Sequence, residues 1–132
     1  MKKEARIAAL EILYAAEAGN AEPDLSGVSA RARRLIDGVN SRRRELDAAI
    51  NHASKGWRVE RMPMVDRCIL RLALYELSST DTPVAVVIDE AVRLAKDYST
   101  ARSGGFVNGV LGTLADGTAR VEGEAAPEGA EA

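Results

Sequence analysis

The sequence predicts an all-α domain with a disordered acidic tail. Three observations carry this. Most of the chain shows apolar residues at helical spacing, and no clear alternating strand pattern competes with it. Alanine, the strongest helix former, supplies much of the 46% hydrophobic content. From Gly117 onward the bulky apolar repeat stops, and the last sixteen residues hold one basic and four acidic side chains. The predicted organisation is one folded domain over residues 1–116 and a tail over residues 117–132. A length of 132 residues suits a single core.

The first predicted helix spans roughly residues 3–18. Ile7, Leu10, Leu13 and Tyr14 fall on one face, and Gly19-Asn20 is a suitable C-terminal stop. Residues 20–27 combine Pro, Gly and short polar side chains and read as a loop. A second helical segment covers residues 29–54, with its stripe at Ala32, Leu35, Val39, Leu46, Ala49, Ile50 and Ala53. Arg42 interrupts that stripe just after Gly38 and Asn40, which marks a place to bend or break. Arg42, Arg43 and Arg44 read as surface charge pairing locally with Glu45 or Asp47.

Lys55-Gly56 is a stop, and Trp57 follows it as an anchoring aromatic. Pro63 suits the start of the next helix, residues 64–79. Val65, Cys68, Ile69, Leu70, Leu72, Ala73, Leu74 and Leu77 leave only a narrow polar strip there. A helix apolar nearly all round belongs at the centre. Residues 84–98 open with Val84-Ala85-Val86-Val87-Ile88, which fits a buried strand in isolation. The stripe Val84, Val87, Ile88, Ala91, Leu94, Ala95 and Tyr98 decides for helix. Residues 99–105 read as a loop. A final helix over residues 105–115 buries Phe106, Val107, Val110, Leu111 and Leu114.

Charge is unevenly distributed. The net of -2 hides fourteen basic and ten acidic residues in 1–71, against four and ten in 72–132. A uniformly basic protein is excluded, but a locally basic face is not. Catalytic groupings are sparse. His52 is the only histidine and reads as a helix-surface residue. Cys68 is the only cysteine, which excludes an intrachain disulfide and fits a reducing compartment. Ser103-Gly104-Gly105 lacks the Gly-Lys-Ser/Thr of a phosphate-binding loop. Asp89 and Glu90 point about 100° apart on a helix and make no natural acid–base pair. No apolar stretch approaches the roughly 20 residues of a membrane span, and the N-terminus has no signal-peptide pattern.

Four motifs in order carry a resemblance. They are Ala5-Arg6-Ile7-Ala8-Ala9-Leu10-Glu11-Ile12-Leu13-Tyr14, then Val65-Asp66-Arg67-Cys68-Ile69-Leu70-Arg71-Leu72-Ala73-Leu74-Tyr75-Glu76-Leu77. Pro83 and Val87-Ile88-Asp89-Glu90-Ala91-Val92-Arg93-Leu94-Ala95-Lys96 follow, and Phe106-Val107-Asn108-Gly109-Val110-Leu111 closes the set. Together they resemble the NusB family of transcription antitermination factors over about residues 2–114.

The resemblance implies two small helical bundles packed together, no catalysis, no cofactor and a cytoplasmic location. It implies binding to boxA-type leader RNA with NusE, a small-subunit ribosomal protein, within the RNA polymerase antitermination complex on ribosomal RNA operons. The residues matching the family's RNA surface are Lys2, Lys3, Arg6, Arg102 and Phe106, with Arg71 a candidate beneath them. The helix start near Gly105 offers backbone N–H groups to a phosphate. Glu60, Asp66 and Arg67 match the region that meets NusE. Only Lys2 and Lys3 precede the first helix motif, where family members carry several arginines. The stretch between Tyr14 and Gly38 is short, so one small helix is trimmed or lost. A homodimer is compatible with the resemblance, because some members pair across the RNA face. Two alternatives remain. One is an accessory RNA-binding domain of the kind fused to ribosomal RNA cytosine methyltransferases, which shares the fold. The other is a purely structural helical module.

Overall fold

The computed structural model describes residues 4–125, with side chains for residues 4–117. Among the described residues there are six α-helices and no strand. They are α1 (Ala5–Gly19), α2 (Ala30–Ser41), α3 (Arg43–Ala53), α4 (Met64–Ser79), α5 (Val84–Tyr98) and α6 (Ala101–Ala125), with one 3-10 turn at Val59–Arg61.

Helix α4 is the hub, packing against every other helix. Helices α1, α2 and α3 cover one side of it and α5 and α6 the other, giving two bundles that share α4. Its burial follows from its composition: Cys68, Ile69, Leu70, Leu72, Ala73, Leu74 and Leu77 all lie in the core. Ile36, Leu46, Ile50, Val87, Val107 and Leu111 meet them from the surrounding helices.

Local signals set most helix ends. Asn20 adopts the left-handed conformation (φ 51°), and its N–H closes α1 onto Ala16 and Glu17. Ser29 caps α2 by accepting a hydrogen bond from Ala32 N–H at 3.1 Å. Lys55 (φ 46°) and Gly56 (φ 96°) turn the chain out of α3. Pro63 and Pro83 stand directly before α4 and α5.

Three boundaries differ from the sequence expectation. The segment 29–54 is two helices, because the backbone leaves helical geometry at Arg42 (φ -116°, ψ 20°). The loop expected at 99–105 shrinks to Ser99 and Thr100, and α6 starts at Ala101. Gly104 is the reason: a Cβ there would stand 3.2 Å from the Lys96 side chain. The missing side chain lets α6 lie close against α5, so Gly104 serves helix packing instead of a loop, whereas Gly105 is exposed with open space around it. Gly105 lies inside the helix, and its N–H is not a free helix-start donor. Finally, α6 continues beyond Gly117 to Ala125. Extending an existing helix through alanine and glutamate is far easier than starting one. The rest of the expected acidic tail, 126–132, lies outside the described residues.

Candidate nucleic-acid interface

Helix α1 sets the first constraint. Its inward face is Arg6, Ala9, Leu10 and Leu13, a clean helical repeat. This is rotated from the expected face of Ile7, Leu10, Leu13 and Tyr14. Tyr14 is exposed and Ile7 only half-buried. The rotation carries Arg6 inward, where it is 8% exposed. Its guanidinium donates twice to Glu76 on α4: Nε to Oε2 at 2.8 Å and a terminal nitrogen to Oε1 at 2.9 Å. A weaker contact reaches Glu4 at 3.4 Å. Burial opposes the charge on Arg6, but the Glu76 carboxylate outweighs it and holds the guanidinium more firmly protonated than usual.

Arg71 is buried as well. It donates to both oxygens of Asp47 on α3, at 2.7 and 3.0 Å, and to Glu17 on α1 at 2.6 Å. Here too burial works against the charge, and Asp47 and Glu17 reverse the balance. Glu17 also takes Arg67 at 3.0 Å and pairs with Arg43. Three guanidiniums thus converge on one carboxylate, beside a cleft of about 580 Å³ between α1, α2 and α4. Arg6 and Arg71 were both expected on the RNA side. Each instead has its guanidinium committed to an internal carboxylate, because a buried arginine is tolerable only when paired.

The region expected to meet NusE divides similarly. Glu60 is exposed on the 3-10 turn, 3.3 Å from Arg58. Asp66 is 3% exposed and accepts a hydrogen bond from Ser103 Oγ at 2.9 Å, tying α4 to the first turn of α6. Arg67 is half-buried on Glu17. Only Glu60 of the three stands fully at the surface. Of the arginine run, Arg42 does pair locally with Glu45 at 3.0 Å, Arg43 reaches α1, and Arg44 is exposed. Asp47 serves Arg71 instead of this run. His52 is exposed and Cys68 buried, as the sequence suggested. Burial pushes the Cys68 thiol up to about 11.

Near the start of α6, several basic and aromatic side chains remain at the surface. Arg102 is exposed in the first turn of α6, and Phe106, one turn further along the same face, is half-buried. Trp57 meets Phe106 edge-on, with ring centroids 6.5 Å apart and planes at 68°. Lys55, Arg58 and Arg61 are exposed around Trp57. Lys2 and Lys3 lie outside the described residues. Sequence reasoning took Trp57 for an anchor and missed its exposure. The available signal was an aromatic in a polar turn with basic residues at 55, 58 and 61. It also missed Glu17, Asp47 and Glu76 as the arginines' partners.

The chain is thus an all-helical domain built around one buried helix, with a small basic and aromatic surface where α6 meets the α3–α4 connection. The chain belongs to the NusB family, whose family model matches residues 3–116. The transcription antitermination protein NusB of Acidothermus cellulolyticus is 46% identical over 124 residues, covering 86% of each chain. T. maritima NusB is similar in structure, with a TM-score of 0.78 and 35% identity over 88% of this chain and 93% of that one. A structure described as antitermination factors NusB and NusE in complex with dsRNA is also similar. Its TM-score is 0.68 and its identity 26%, covering 86% of this chain and 94% of its own. Among the described residues, no helix is long and apolar enough to cross a membrane.

Proposed function

We propose that this chain is a transcription antitermination factor that binds boxA-type leader RNA jointly with NusE and helps RNA polymerase resist termination, notably on ribosomal RNA operons. It acts in the cytoplasm by binding, without catalysis. The observation that carries this is the similarity, over 86% of the chain, to a NusB solved with NusE and RNA. The surface around α6 fits the same role: Arg102 is exposed and without an ion-pair partner among the described residues, one turn from the Phe106 ring. Single-stranded RNA is held by such cations on phosphates and by aromatics on bases.

Within this reading Lys2, Lys3, Arg102 and Phe106 touch RNA. Arg6 and Arg71 act from beneath, fixing α1 and α3 against α4 so that the surface keeps its shape. Glu60 is the exposed acid offered to NusE, with Asp66 and Arg67 positioning the helix behind it.

Titrating a boxA-containing RNA with the protein, with and without NusE and at two salt concentrations, tests the proposal. Binding should be weak alone, tighter with NusE, and weaker at higher salt as phosphate contacts release counterions. Arg102→Glu should reduce affinity severalfold with the melting temperature unchanged. Absence of binding in every condition would refute the reading.

A further inference from the structure

Trp57 is the most exposed large hydrophobic side chain among the described residues, at 58%. Tryptophan is enriched at recognition surfaces because its ring is apolar while its N–H is polar, and this one stands open beside a second aromatic, Phe106. Its setting narrows what the ring takes. The loop that carries it is held at both ends. Ser54 Oγ donates to the Trp57 carbonyl, and Asn51 Oδ1 accepts from Val59 N–H at 2.7 Å. The left-handed backbone at Lys55 and Gly56 fixes the exit from α3. The indole is therefore presented on a braced turn, with Phe106 supporting it edge-on at 6.5 Å. Lys55, Arg58 and Arg61 surround it in the chain, against Glu60 as the one acid between residues 54 and 62. Arg102 lies one turn before Phe106 on α6.

We propose that Trp57 is a base-stacking residue: its open face takes an unpaired RNA base, while Lys55 and Arg102 hold the neighbouring phosphates. This rests on the RNA-binding reading above and adds to it a second aromatic beside Phe106. A local excess of cations around a flat, pre-positioned ring suits an anionic polymer with planar bases. Because every base has a π-face, the contact strengthens binding without selecting sequence.

Trp57 is the sole tryptophan, so its emission reports on this position alone. The full chain, with NusE present, is titrated with a boxA-containing RNA labelled for anisotropy while tryptophan fluorescence is followed in parallel. Stacking predicts quenching that saturates with the anisotropy isotherm, and no quenching by polyphosphate, which has charge but no bases. Trp57→Ala should weaken RNA binding about tenfold, with an unchanged salt slope and an unchanged far-UV melt. Trp57→Phe should retain most of the affinity. If RNA binds but emission stays constant and Trp57→Ala binds as tightly as wild type, the inference is overturned while the RNA reading stands. Quenching by NusE alone, with no further change on adding RNA, would make this a protein contact and overturn it too. If no RNA binds at all, both fall together.

Discussion

Arg6 gives the sharpest test, because its sequence motif points to RNA and its structure points inward. The Arg6 and Glu76 side chains are 9% and 3% exposed and share two hydrogen bonds of 2.8 and 2.9 Å. Glu76→Leu removes the carboxylate and strands a buried guanidinium, which costs about 3–5 kcal/mol. Glu4, at 3.4 Å but half-exposed, offsets under about 1 kcal/mol of this. The expected loss is therefore about 3 kcal/mol. For a domain of this size that is a drop of roughly 10 °C in Tm. In Arg6→Met/Glu76→Leu, apolar side chains of similar bulk replace the pair, and stability should return to within about 1 kcal/mol of wild type. Urea unfolding followed by far-UV circular dichroism measures all three proteins. A loss below about 1 kcal/mol in Glu76→Leu, or a double variant no better than the single one, would refute the argument. The folded double variant should also bind RNA as wild type does. A severalfold loss there would show that Arg6 reaches RNA after all.

A Cβ at Gly38 would overlap the Tyr75 ring, coming 2.6 Å from its hydroxyl oxygen, so Gly38→Ala should cost about 1–3 kcal/mol in chemical denaturation. Adding Tyr75→Val should recover much of the loss. The Cys68 thiol, raised from 9.0 to about 11, is neutral in the folded protein at pH values where the unfolded thiol ionises. The unfolded state then holds fewer protons, so this contribution is intact below about pH 9 and is lost as pH rises towards 11. Wild type should lose stability over that window more steeply than Cys68→Ala, as measured by denaturation midpoints at stepped pH.

The helices themselves are legible in the sequence because their signals are local. The bounds of α4 and α5 follow from Pro63 and Pro83 and from continuous 3.6-residue stripes, and Asn20 ends α1 where a left-handed cap belongs. The centrality of α4 follows from its lack of a broad polar face. The family motifs are likewise read along the chain. The basic surface is less legible, because a positive charge looks the same in sequence whether it faces solvent or a carboxylate far along the chain. Arg6 finds Glu76 seventy residues away, and Arg71 finds Asp47 and Glu17 at 24 and 54. Gly104 shows the same ambiguity, since an absent Cβ permits either a loop or a close helix crossing.

An all-helical domain, its central helix and its NusB motifs are readable along the chain, since periodicity, capping and motif order are properties of neighbouring residues. That Arg6, Arg71 and Asp66 hold helices together, and that Trp57 stands open beside Phe106, emerges from packing. Burial and pairing depend on which helix faces meet, and a rotation of α1 by about one residue was enough to turn Arg6 from the surface into the core.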